Sequence, residues 1–302
     1  MSLYPPPKTI KAEVFARVPE ALRKKVRTAW ADINKGGHIC DTFLEGPSFD
    51  RAGNLWVTDI PHGRVMKVTP SGDWSVITEY DGWPNGLKLH KDGRAFITDY
   101  KRGIMVLDPA SGKVTPLIET VRTESFKGVN DLHFASNGDL YFTDQGQTGL
   151  HDPTGRVYRY TADGKLTCLV NTVPSPNGIV LDATERIVYV AVTRGNAIWR
   201  LPIMGDGHPS KVGLAIQLSG GLSGPDGLAL DEEGGLVVAH AGMGCWRFDK
   251  MLRPTHYIEP VGGLFTTNVA FHGKRLYMTE SESGSVLVAD LPVAGAKMFG
   301  QM

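Results

Sequence analysis

Short apolar runs, often alternating with polar residues, recur along this chain, and glycine-containing pairs such as Asp-Gly, Asn-Gly and Gly-Asn separate them. Alternation is the strand period, and these pairs form turns because Gly, Asn and Asp tolerate positive φ and bond locally to the backbone. The frame repeats. E-G-P-S-F-D-R-A-G-N-L-W-V-T-D from Glu45 aligns without a gap with N-G-L-K-L-H-K-D-G-R-A-F-I-T-D from Asn85, and the pattern returns from Asn130, Asn177 and Asp226, with a shorter copy from Thr267. Their starts lie 40, 45, 47, 49 and 41 residues apart, close to the ~40–50 residues of a four-stranded propeller blade. In each copy two apolar runs flank a glycine turn, which predicts a hairpin, and two further strands follow. Six copies predict an all-β protein, a six-bladed β-propeller of four-stranded blades with a short N-terminal strand and helix. The expected organisation is one domain over 1–302, with the extension in 1–40 and the blades from about 41 to 291.

In the extension, K-A-E-V-F-A-R-V reads as a strand that completes the last blade and closes the ring. From Pro19 to Gly37 the apolar residues Leu22, Val26, Trp30 and Ile33 fall at helical spacing, and Gly36 and Gly37 mark its end. A helix there joins an outer strand to Glu45 on the inner rim, so it crosses a propeller face as a lid or a solvated bracket.

Hairpin pairing places the residue that opens each inner strand beside the one fourteen later. Two rings are therefore predicted at one channel mouth: Glu45, Asn85, Asn130, Asn177, Asp226 and Thr267, and then Asp59, Asp99, Asp144, Ala191, His240 and Glu280. Turn formation accounts for Asn85 and Asn177 singly, but Glu before Gly-Pro has no turn advantage. Two carboxylates and three amides in a narrow channel are costly unless compensated, and a cation is the simplest compensation. Hard oxygen donors suit calcium or magnesium, and no His or Cys pair has zinc-like spacing. One divalent ion, calcium by preference, with zinc, magnesium or manganese as alternatives, is the expected cofactor.

Charge and composition remove other readings. Lys plus Arg number 32 and Asp plus Glu 32, so there is no basic field for a nucleic acid. No apolar run approaches the ~18 residues of a membrane span, and M-S-L-Y-P-P-P-K lacks an apolar stretch behind basic residues, which points to the cytoplasm. Cys40, Cys168 and Cys245 are far apart and read as buried free thiols. There is no G-x-S-x-G, H-E-x-x-H, G-x-x-x-x-G-K-[ST] or G-x-G-x-x-G, which counts against serine hydrolase, zincin and nucleotide-dependent chemistry. His133 reads as a strand histidine, and His62, His151 and His208 fall in exposed-looking loops.

With E-G-P at Glu45, V-N-D at Asn130, P-N-G at Asn85 and Asn177, and P-D-G at Asp226, residues 40 to 291 resemble the SMP-30/gluconolactonase family. The resemblance implies a divalent-metal-dependent lactonase acting on a sugar or other small lactone. It implies Glu45, Asn177 and Asp226 as metal ligands, with Asp226 doubling as general base. Asn130 either completes the metal shell, as in diisopropylfluorophosphatase-type enzymes, or holds substrate and a metal-bound water. Rim position makes Asn85, Trp83, Tyr100, Gln145, His240 and Glu280 the candidate substrate residues. Sugar lactonases often carry Arg two residues before the blade-three Asn; Gly128 stands there instead, which predicts a larger, less polar pocket and a less hydroxylated or bulkier lactone. A phosphotriesterase and a non-enzymatic NHL-type binding propeller are the alternatives. Oligomeric state is left open.

Overall fold

The computed structural model describes residues 4–302. It is a six-bladed β-propeller. Blade one runs outward from the channel through strands Leu44–Phe49, Leu55–Asp59, Arg64–Val68 and Trp74–Glu79. The inner strands of blades two to six are Pro84–Leu89, Val129–Phe134, Pro176–Leu181, Gly224–Leu230 and Thr266–His272. A two-stranded ribbon, Thr120–Val121 with Glu124–Ser125, stands between blades two and three.

The N-terminal segment closes the ring. Strand β2, Glu13–Arg17, pairs antiparallel with Ser285–Asp290 as the fourth strand of blade six, while β1, Lys8–Lys11, adds in parallel to Pro254–Glu259 as a fifth strand of blade five. The K-A-E-V-F-A-R-V strand thus lies where its pattern placed it, and β1 is an addition that four-residue polar K-T-I-K did not announce.

Because successive strand residues face opposite sides of a sheet, each blade offers one apolar face to each neighbour. Trp56 and Val65 of blade one pack with Leu87 and Ile97 of blade two; Val57 and Leu55, on the other face, pack with Tyr277 and Val286 of blade six. Four further layers fill the other blade interfaces. The core is therefore a wheel of six apolar layers around a channel lined by the inner strands.

The predicted Pro19–Gly37 helix is much shorter. Glu20–Leu22 is a single 3₁₀ turn and the α-helix, α1, covers only Ala29–Asn34. Residues 23–28 run irregularly because their polar groups have tertiary partners: Arg23 bonds Val18 O, Ser283 O and Asp41, and Lys24 N donates to Asp41 O. Thr28 caps α1, its hydroxyl accepting from Ala31 N at 3.2 Å. Val26 and Ile33 are 53% and 52% exposed, so the helical stripe is only half used. Trp30 and Ala31 pack on Phe43 and Ile60 of blade one, with Trp83 and Phe265 beside them, while Asn34 Oδ1 accepts from Gln147 of blade three at 3.2 Å. The segment is a bracket pinned across the channel mouth.

Among the described residues no helix is long and apolar enough to cross a membrane. All three cysteines are free thiols, yet only Cys245 is buried; Cys40 is half-buried and Cys168 exposed.

Candidate functional site

Every inner strand carries an irregularity just after its opening residue. Leu44 pairs with Asp59 and Glu45 with Thr58, and the register then slips before Ser48; the same bulge follows Pro84, Val129, Pro176, Pro225 and Thr266. A bulge leaves a residue unpaired and re-aims its side chain. At the bulge the chain also presses on the next blade: a β-carbon on Gly46 would strike the backbone of Asn85 and Leu87, and one on Gly178 the backbone of Asp226 and Gly227. Glycine after Glu45, Asn85, Asn177 and Asp226 is thus a packing requirement. It brings the inner strands close enough for the preceding side chains to share the channel.

Threonine hydroxyls at or just past the end of the second strand, three of them from a repeated Thr-Asp, hold this geometry. Thr58 Oγ1 donates to Asn85 O at 2.6 Å, Thr98 Oγ1 to Asn130 O, Thr143 Oγ1 to Asn177 O at 2.7 Å and Thr193 Oγ1 to Pro225 O at 2.8 Å. Thr267 and Ser281 close the circle on Leu44 O. The Asp that follows accepts the amide two residues before its own blade's ring residue: Asp59 from Phe43 N, Asp99 from Trp83 N and Asp144 from Gly128 N, at 2.7, 3.1 and 2.8 Å.

These bonds correct the second predicted ring, which does not encircle the mouth. Asp59 is paired with buried Arg64, Nε at 2.9 Å, and Asp144 with Arg156, Nε at 2.7 Å. Ala191 is core. Glu280 accepts from Glu282 N and Ser283 N at 2.8 and 2.9 Å and from the Ser283 hydroxyl, so its carboxylate clamps the loop that follows it. His240 is fully buried beneath Gly221, and burial lowers its pKa. His62 is buried as well, Nε2 lying 3.1 and 3.0 Å from Cys40 O and Asp41 O, against the exposed loop its sequence suggested. Thr267 is taken up by the Leu44 bond, and its neighbour Asn268 meets Glu45 instead.

Glu45, Asn85, Asn130 and Asn177 are brought together at the mouth and are all buried, with Asp226 part-exposed among them. Glu45 Oε2 accepts Gly46 N and Asn268 Nδ2, both at 2.8 Å. Burial and the charge of Asp131 nonetheless push its pKa up to about 7. Burial, then Glu45 and Asp131, push Asp226 well above the carboxylate range, although Asn177 donates to it. The Oδ1 atoms of Asn85 and Asn177 are buried without a hydrogen-bond partner. Two repelling carboxylates beside orphaned amide oxygens fit a divalent cation, whose charge and empty coordination positions answer both. Among the described residues no three His, Cys, Asp or Glu side chains gather for a metal, so a cation here must take amide oxygen.

Asn130 donates to Gln145 Oε1 at 2.9 Å and Gln145 to Ser175 Oγ at 3.0 Å, which fixes the Asn130 amide with its nitrogen already used. Trp83 and Tyr100 lie on the same side, ring centroids 6.4 Å apart, and Gln147 Nε2 donates to the Tyr100 hydroxyl at 2.8 Å. Gly128 does not leave the space its missing side chain suggested. At φ +149°, a β-carbon there would strike the Tyr100 ring, so tyrosine fills the gap.

Asp131, Asn268 and Lys88 were missed from sequence. They form a buried layer beside Glu45: Asn268 Nδ2 lies 3.3 Å from Asp131 Oδ2, and Lys88 Nζ lies 4.0 Å from Asp131 Oδ1. The available signal was the alignment itself, because the glycine after the ring residue in four blades is Asp131 in blade three and Asn268 in blade six. His133 stands on this inner strand, where burial and then Lys88 lower its pKa to about 3.

Residues 43–282 match the family described as the SMP-30/gluconolactonase/LRE-like region. The chain belongs to that family. It is 32% identical over 227 residues to lactonase drp35 of Staphylococcus aureus (strain MRSA252), covering 71% of this chain and 67% of that protein. It is also 32% identical over 214 residues to lactonase drp35 of Staphylococcus epidermidis, covering 67% and 64%. Among solved structures, a calcium-binding regucalcin from Agrobacterium tumefaciens superposes with a TM-score of 0.76 at 24% identity over 96% of this chain and 98% of its own. A gluconolactonase from Xanthomonas campestris gives 0.74 at 22% over 96% and 99%. These two likenesses carry the fold alone.

Proposed function

We propose that this protein is a divalent-metal-dependent lactonase with one ion, calcium by preference, at the channel mouth. Support comes from lactonase relatives at 32% identity and from one observation in the site: buried Asn85 and Asn177 oxygens without partners, set beside two carboxylates whose pKa values are raised by burial and by neighbouring carboxylates. Glu45, Asn177 and Asp226 would hold the ion, with Asn130 either a fourth donor or the holder of water and substrate. When bound, the ion would polarise a lactone carbonyl and stabilise negative charge on its oxygen.

The protein's own groups supply the rest. Asp226, part-exposed and with its proton affinity raised, would take a proton from an attacking water as the water oxygen bonds the carbonyl carbon, and return it to the ring oxygen as the acyl carbon–oxygen bond breaks, leaving the hydroxy acid. The Asn130–Gln145–Ser175 chain holds the Asn130 amide in one orientation. Trp83 and Tyr100 give the apolar wall against which a ring can lie. A cytoplasmic location and a free small-molecule substrate complete the reading.

The test is metal content and turnover. Purified protein should carry one divalent ion per chain, lose activity and melting temperature with chelator, and regain both with calcium. Faster turnover of a phosphotriester than of any lactone would favour the phosphotriesterase reading, and absence of a stoichiometric ion would remove the proposal.

A further inference from the structure

At the mouth, positive charge stands on the outer side of the acidic ring. Lys35 follows directly on α1, its Nζ 4.3 and 4.1 Å from the ring centroids of Phe43 and Phe265, and among the described residues its ammonium has no hydrogen bond or ion pair. Burial lowers its pKa; the charges of Cys40, Asp226 and Glu282 oppose that shift and the charge of Arg194 adds to it. Glu282 is already engaged, accepting Leu264 N at 3.0 Å.

Arg194 is exposed and makes no hydrogen bond or ion pair among the described residues. It lines a cavity of about 520 Å³ together with Asn34, Tyr100, Gln145, Gln147 and Ser175. Since Gln145 is the hydrogen-bond partner of Asn130, this cavity opens directly beside the proposed reaction centre. Guanidinium forms paired bonds to a carboxylate, and a half-buried ammonium supported on two aromatic faces is already partly desolvated. A neutral lactone offers either cation only uncharged acceptor oxygens, a weaker match than a carboxylate.

We propose that Arg194 and Lys35 select substrates bearing a carboxylate, so that the lactone opened here carries an anionic group outside its ring. The proposal rests on the lactonase reading and names its substrate class. It also assigns a purpose to the N-terminal bracket, which carries Lys35 to the mouth from outside the six repeats.

The experiment compares 5-oxotetrahydrofuran-2-carboxylate with 5-oxotetrahydrofuran-2-carboxamide, which share ring and size but differ in charge. The calcium-loaded protein should favour the carboxylate at least tenfold in kcat/KM. Arg194→Gln should reduce that ratio at least tenfold, chiefly through KM, and Lys35→Met, which keeps the apolar stem on Phe43 and Phe265, should reduce it less. Calorimetry with 2-hydroxyglutarate, the ring-opened acid, gives a readout independent of turnover: affinity should fall at least tenfold in Arg194→Gln. Binding that depends on Arg194 with no lactone opened would uphold anion selection and remove the hydrolase reading. Equal cleavage of carboxylate and carboxamide by the unmodified protein, equal losses on both in the variants, or 2-hydroxyglutarate affinity unchanged in both variants would overturn the proposal.

Discussion

Two sets of carboxylates stand at the same end of the inner hairpins, and they serve opposite purposes. Asp59, Asp99 and Asp144 end the second strands and are fully buried, and each has backbone N–H donors with a guanidinium or phenol besides. Glu45 and Asp226 open the inner strands with fewer donors and with like charges for neighbours. All five are carboxylates, and Glu45 is as buried as the first set while Asp226 is part-exposed, so the difference that separates the sets is in the partners. A carboxylate whose oxygens are filled by protein donors sets loop geometry, whereas one left short of donors is available for a ligand. The first set braces the ring, Asp59 through the amide of Phe43 before Glu45, and Asp99 and Asp144 through the amides of Trp83 and Gly128 before Asn85 and Asn130.

The largest effect expected on this contrast is at Asp226. Asp226→Asn should lower kcat/KM more than about a hundredfold, the scale of losing a positioned base, and it should weaken calcium binding in a titration. Because it relieves repulsion with Glu45, it should leave the metal-free melting temperature unchanged or higher. A drop in that temperature would erase the distinction between the two sets. Asp59→Ala should do the reverse, stranding Arg64, which is 2% exposed, and costing about 3–5 kcal/mol. At the ~2–4 °C per kcal/mol of chains this size, thermal melts should show a loss of roughly 6 °C or more. Calcium affinity should change little in the fraction that stays folded.

Acidity sharpens the contrast further. A glutamate in an unfolded chain titrates near ~4.3, and Glu45 in the metal-free fold near about 7. From about pH 4 to 7 the folded state therefore holds the proton that the unfolded chain has released, and stability falls as pH rises through this window. Asp226, also raised, extends the decline upward. Chelated protein should melt progressively lower across these pH values, saturating calcium should remove the slope, and Glu45→Gln should flatten it in chelator. A flat chelated profile for the unmodified protein would mean that neither carboxylate is strained.

The six blades, the ring-closing β2 and the mouth residues Glu45, Asn130, Asn177 and Asp226 were legible because a repeat exposes them together, and the spacing of identical motifs survives variation in loop length. Bulges were not. One extra residue after each opening position shifts the pairing, and nothing in E-G-P or P-N-G states which way a side chain turns once the ladder is broken. This is why Asp59, Asp99 and Asp144 were expected to share the channel with residues they instead brace, and Glu280 with residues it does not bond. The 19–37 helix failed for a related reason, since the Arg23 and Lys24 bonds to distant chain overrode a local period. Gly128 misled because an absent side chain was read as absent volume, and the Tyr100 ring fills it.

The finest contrast is within the ring itself, at Asn130. Its amide nitrogen is committed to Gln145 at 2.9 Å, unlike Asn177, whose amide donates to Asp226 and whose oxygen is buried and unpartnered. If the Asn130 oxygen is a ligand, Asn130→Ala should weaken calcium binding and activity together; if it holds water or substrate, only the rate should fall. The hydrogen-bond chain through Gln145 to Ser175 favours the second outcome, because a residue tied outward toward the cavity is aimed at what enters from there. Calorimetric calcium affinity within about threefold of the unmodified protein, with kcat reduced about tenfold or more, is the expected result. Gln145→Ala should reproduce part of that loss by freeing the amide to rotate. A variant at Asn130 with both affinity and rate intact would remove it from the site and leave Glu45, Asn177 and Asp226 to act with Asn85.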